Sequence, residues 1–132
     1  MEHLTLEVFK EKICECGIGG TEKAQWKYKG NIPAVIDFYT DWCGPCKMVS
    51  PILEELSKEY VGRVNIYKVN TENELQLASL FGISSIPSIL FIPVDGQPQM
   101  SAGALPKKEF KRMFREILGV EESVSELSSE MK

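Results

Sequence analysis

The 132-residue chain has no long apolar run. Its longest, Ile89 to Val94, is interrupted by Pro93 and falls far short of the ~20 apolar residues a membrane-spanning helix needs. Positive charge is also short. The net charge is −4, so no basic field is present to hold nucleic acid, and anionic membrane is not a partner either. The opening Met1-Glu2-His3-Leu4-Thr5 has no basic start followed by an apolar run, so no signal peptide is expected. Four cysteines are too few for a disulfide-stapled secreted mini-protein. What is present is an ordinary globular composition, 43% apolar and 26% charged, too apolar for disorder. A chain of this length is sized for one domain that buries well over half of its extended surface.

Hydrophobic spacing organises the chain. His3-Leu4-Thr5 opens a short edge strand, and Leu6, Phe9 and Ile13 recur at helical spacing. Residues 14–31 read as a longer loop, with Trp26 and Tyr28 as anchors. Pro33 to Tyr39 is a mostly apolar strand covered on both faces. A long helix follows, with Cys46, Val49, Leu53, Leu56 and Tyr60 on one face, Gly62 as its stop and Pro51 as a kink. Val64 to Val69 alternates like a strand, and Thr71-x-x-Glu74 reads as a capping box opening a short helix. Ser88 to Ile92 is a buried strand. Asp95-Gly96 turns it into a strand around Pro98 to Ser101. Pro106 occupies the first position of a final helix with Phe110, Phe114 and Ile117 inward. The order β-α-β-α-β-α-β-β-α predicts an α/β fold, a central mixed sheet flanked by helices on both faces. Residues 119–132 are mostly polar and serine-rich, and much of this tail is expected to be mobile.

The chemistry concentrates in Trp42-Cys43-Gly44-Pro45-Cys46-Lys47, where a buried strand turns into a helix. Cys43 falls at the helix N-terminus, where unpaired N–H groups and the helix dipole favour an anion. A thiolate is thereby stabilised, and the thiolate is the nucleophile. The two-residue spacer puts Cys46 one turn on, within reach of a mixed disulfide at Cys43. Asp37 is an acid inside a covered strand, a placement that costs several kcal/mol unless the group is paired or protonated and so points to function.

The Trp-Cys-Gly-Pro-Cys-Lys run at 42–47 matches the thioredoxin active-site motif in full. Asp37-Phe38 stand at the family's spacing before it, Ile86-Pro87-Ser88 resembles the family's cis-proline segment, and Gly103-Ala104-Leu105 its glycine loop. The chain therefore resembles the thioredoxin family, from about Leu4 to Leu118, in a domain drawn as 1–118. The resemblance implies a thioredoxin fold and a cytoplasmic, monomeric protein disulfide reductase. It would cycle between the Cys43/Cys46 dithiol and disulfide, with disulfide-containing client proteins as substrates. A thioredoxin reductase using NADPH would recharge it, with no bound cofactor and no metal. Asp37 would relay the Cys46 proton through water, tuned by Lys68. Trp42, Gly44, Pro45, Ile86, Pro87, Gly103 and Ala104 would meet the substrate chain. Tyr39 stands where the family usually has tryptophan, Ser88 where threonine is common, and the 14–31 segment is longer than usual.

Cys14-x-Cys16 with Cys43 and Cys46 offers four thiolates for zinc, although the first pair lacks knuckle spacing. A permanent structural disulfide is disfavoured because the helix-start position is read as exposed. Asp37 at a sheet edge, Lys68 in solvent and Trp42 as a plain core aromatic are the bland alternatives to the roles above. Cys14 and Cys16 read as bystanders, with a regulatory disulfide as the alternative. The run Lys107, Lys108, Lys111, Arg112 and Arg115 reads as a solvated helix face. An oxidant or isomerase, or a non-catalytic binding subunit, stands as the alternative function.

Overall fold

A computed structural model describes residues 1–15 and 26–121. The chain order is β1 (Glu2–His3), α1 (Leu6–Lys12), β2 (Ala34–Tyr39), α2 (Gly44–Glu59), β3 (Asn65–Asn70), α3 (Leu75–Leu80), β4 (Ser88–Ile92), β5 (Gln99–Ala102) and α4 (Lys107–Glu116). The strands form one sheet in the order β1-β3-β2-β4-β5. β1, β3 and β2 run parallel, and β4 and β5 are antiparallel to their neighbours. Joining β2 to β3 in parallel requires a crossover, which α2 supplies.

Strand alternation divides the core in two. Ala34, Ile36 and Phe38 of β2 pack with Phe9 of α1 and Leu77 of α3 on one face. Val35 of β2 packs with Val49, Leu53 and Leu56 of α2 and Phe110 and Phe114 of α4 on the other. Because side chains on a strand alternate faces, Asp37 shares the α2 side with Val35. Lys68 falls on that side too, two residues from Ile66. The aromatic packing is specific: Tyr60 and Phe114 meet edge to face at 4.9 Å between ring centroids.

Three local expectations are corrected. Thr71-x-x-Glu74 is not a capping box for α3, whose N-cap is Glu74 with no side-chain cap bond. Its carboxylate instead accepts the Leu6 N–H at 3.1 Å, at the start of α1. Pro106 is the N-cap of α4 and not its first turn residue. The basic run on α4 is only partly solvated, since the Lys107 ammonium lies 3.4 Å from Glu55 and 3.1 Å from Glu59 of α2. Trp26 and Tyr28 do anchor against the α1/α3 side of the core. The remainder of the expected loop at 16–25, and the tail from 122 on, lie outside the described residues.

Candidate active site

The site assembles at the ends of β2 and β3 and the start of α2. β2 delivers the chain through Thr40-Asp41-Trp42 into Cys43, the N-cap of α2. The Cys46 N–H donates to Cys43 Sγ at 3.2 Å, so a free helix-start donor points at the first sulfur. Cys43 and Cys46 are joined in a disulfide with Cα atoms 5.3 Å apart, inside the range such a bridge needs. Pro45 sits in the first turn, where its missing N–H costs the helix nothing.

One feature of this pair departs from expectation. Cys43 is 6% and Cys46 3% exposed, so the oxidised pair is covered, while Gly44 and Pro45 between them are exposed. Placement at a helix start therefore does not by itself expose a side chain.

Asp37 lies on an interior strand and is 1% exposed. Burial pushes its carboxyl up to about 6, with the Lys68 ammonium pulling the other way. Its Oδ1 has no hydrogen-bond partner among the described residues. Asp37 and Lys68 are register partners on β2 and β3. Both line a cavity of about 190 Å³ whose wall also includes Cys46, Tyr39, Thr40 and Ser50. The buried acid and the second cysteine therefore face one space, large enough for water between them.

The remaining residues gather around Pro87. The Ile86–Pro87 bond is cis. Gly103, with φ of 93°, donates its N–H to the Pro87 carbonyl at 2.8 Å, so the two loops meet. The left-handed φ explains glycine there. Ile86 is half-buried and Ala104 exposed. Trp42 is 71% exposed, not a core residue, and its indole N–H donates to Glu72 Oε1.

Sequence reasoning did not single out Glu72 or the contact of Tyr39 with Lys68. The available signal for Glu72 was position: Thr71 to Glu74 follow a parallel strand at its carboxyl end, where α/β sheets place their sites. Cys14 is disulfide-bonded and not a free bystander, and it is buried on the α1/α3 side of the sheet. Cys16 lies outside the described residues. Cys14, Cys43 and Cys46 are all disulfide-bonded. Among the described residues no group of three or more His, Cys, Asp or Glu is gathered for a metal ion. No described helix is long and apolar enough to cross a membrane.

A disulfide at the head of a helix, with a buried acid behind its second sulfur, in a mixed five-stranded sheet, defines a thiol–disulfide oxidoreductase. Residues 22–116 match the thioredoxin family, and the chain belongs to that family. It is 48% identical over 95 residues to a thioredoxin of Borreliella burgdorferi, covering 72% of this chain and 81% of that one. It is 40% identical over 88 residues to Thioredoxin 1 of Nostoc sp., covering 67% and 82%. A chloroplastic M-type thioredoxin of Spinacia oleracea is 38% identical over 87 residues, but the match spans only 48% of that protein. In fold, the chain is similar to chloroplastic thioredoxin z, with a TM-score of 0.72 and 24% identity over 89% of this chain and 93% of that one.

Proposed function

We propose that the chain reduces disulfides in client proteins, with Cys43 as nucleophile and Cys46 as resolving thiol. The observation that carries this is the shared cavity: the acid of Asp37, the ammonium of Lys68 and Cys46 line one space behind the disulfide. In the reduced protein the Cys43 thiolate attacks one sulfur of a client disulfide. A mixed disulfide forms, and the other client sulfur leaves as a thiolate that takes up a proton. Asp37, ionised, accepts the Cys46 proton through water. The Cys46 thiolate then attacks Cys43 Sγ, the second client sulfur leaves as a thiolate and takes up the proton held by Asp37 through water, and the Cys43–Cys46 disulfide remains. Two electrons and two protons have passed to the client. Burial supports the proton role, because an acid held near 6 can change state near neutral pH.

Trp42, Gly44, Pro45, Ile86, Pro87, Gly103 and Ala104 form the docking rim in this reading. Exposure of Trp42 and Ala104 and the loop contact between Gly103 and Pro87 support it. An extended client segment would lie along the Ile86 backbone like an added strand. Regeneration falls to a thioredoxin reductase drawing on NADPH, with no cofactor bound by this chain. We place the protein in the cytoplasm, a reducing compartment that such a cycle requires, acting as a monomer through a single domain of 1–118.

The experiment is the equilibrium potential of the Cys43–Cys46 pair, by thiol trapping and mass analysis across a dithiothreitol series. A value near about −270 mV, characteristic of thioredoxins, is expected. A value near roughly −120 to −180 mV would make the protein an oxidant or isomerase.

A further inference from the structure

His3, Lys68 and Asp37 form one row across the sheet, because Lys68 is the register partner of His3 in β1 and of Asp37 in β2. Lys68 is half-buried. Its four-carbon stem leaves the ammonium a choice between the cavity and open water, and only the first setting acts strongly on Asp37. Something must hold it there. Tyr39 stands two residues after Asp37 on the same strand and therefore on the same face. Its ring carries the Lys68 Nζ at 4.8 Å from the centroid, inside the ~6 Å reach of a cation–π contact.

We propose that Tyr39 is a positioning residue, whose ring seats the Lys68 ammonium at the mouth of the cavity so that it acts on Asp37. The ring is braced in turn from the edge strand. Its hydroxyl lies 3.5 Å from His3 Nδ1, and the two rings are 6.3 Å apart. At that distance the hydroxyl contact is at the outer limit of hydrogen bonding, so the ring face and not the hydroxyl carries the effect. The charged and titratable groups around Lys68 are Asp37 and Tyr39 from β2, His3 from β1, Asp41 from the loop after β2, and Lys47 from α2. Asp41 is held by the Asn70 side-chain amide at 3.5 Å. The proposal rests on the reading of Asp37 as the acid serving Cys46, and extends it by one residue.

The test is the pH titration of the Asp37 carboxyl carbon by NMR in the oxidised protein, where neither active-site cysteine titrates. Tyr39→Leu is expected to raise the midpoint from about 6 by roughly half a pH unit or more, since a neighbouring cation favours the carboxylate. Tyr39→Phe keeps the ring and should leave the midpoint in place. In a Lys68→Met background Tyr39→Leu should add nothing, because the group it positions is gone. An unmoved midpoint in Tyr39→Leu, or an equal displacement with and without Lys68, overturns the proposal. Should Tyr39→Leu fail to fold, the wild type decides. The Lys68 methylene protons next to the ammonium should be shifted upfield by the Tyr39 ring, and ordinary lysine shifts would overturn the seating. Failure of the underlying reading is separately visible. If the carboxyl titrates as expected but the pH profile of the Cys46 step ignores it, Asp37 is not the acid, while the Tyr39–Lys68 relationship stands.

Discussion

Asp37 and Lys68 are directly paired across β2 and β3, yet burial outweighs the ammonium, and the acid is raised from 3.8 to about 6. A carboxyl with a higher value in the folded than in the unfolded state makes the native protein bind the extra proton. Stability is therefore lost as pH rises from about 4 to about 6, and the full penalty persists above. Asp37→Asn should remove it, gaining up to about 3 kcal/mol at pH 8 and little at pH 3.5. Denaturant unfolding of the oxidised protein at the two pH values checks this. An equal effect at both would contradict the assigned shift.

Trp42 is predominantly exposed, so its loss should cost function more than fold. Trp42→Ala is expected to change unfolding free energy by less than about 1 kcal/mol. It should lower kcat/KM for a protein disulfide by roughly 5-fold or more, with a smaller effect on a small-molecule disulfide. Parallel kinetics on the two substrates separate docking from chemistry.

The Glu74 carboxylate accepts the first N–H of α1 from a segment 68 residues away in sequence. Glu74→Ala should cost about 0.5–2 kcal/mol, the usual value of an N-terminal cap. A mixed readout is also expected: amide exchange should speed up at Leu6 and its neighbours more than in α3.

Phe114 is fully buried against Tyr60 and Phe91. Phe114→Ala should destabilise by about 3–5 kcal/mol, read from chemical denaturation.

The order of the nine elements among the described residues was legible because periodicity changes sharply along this chain. Ala34 to Tyr39 and Ser88 to Ile92 are compact apolar runs too short for helices, while Cys46, Val49, Leu53 and Leu56 keep helical spacing. The dithiol and Asp37 were legible because each sits where its chemistry is costly or activated: a thiol at a helix start and an acid in a covered strand. Contacts set by tertiary structure were not. The same polar Glu74 that suits a local cap serves a distant helix instead, and nothing local distinguishes the two uses. Coverage of Cys43 and Cys46 depends on how neighbouring segments close, and the Tyr39–Lys68 contact depends on strand register. Pro106 missed by one position, because proline suits both the N-cap geometry and the first turn.

The most direct test of the account is covalent trapping with the two single-cysteine variants. Cys46→Ser, incubated with disulfide-containing proteins, should accumulate client adducts that dithiothreitol releases. Cys43→Ser should accumulate none and should not reduce disulfides. Adducts on Cys43→Ser in place of Cys46→Ser, or on neither, would contradict the assignment of Cys43 as nucleophile and Cys46 as resolving thiol.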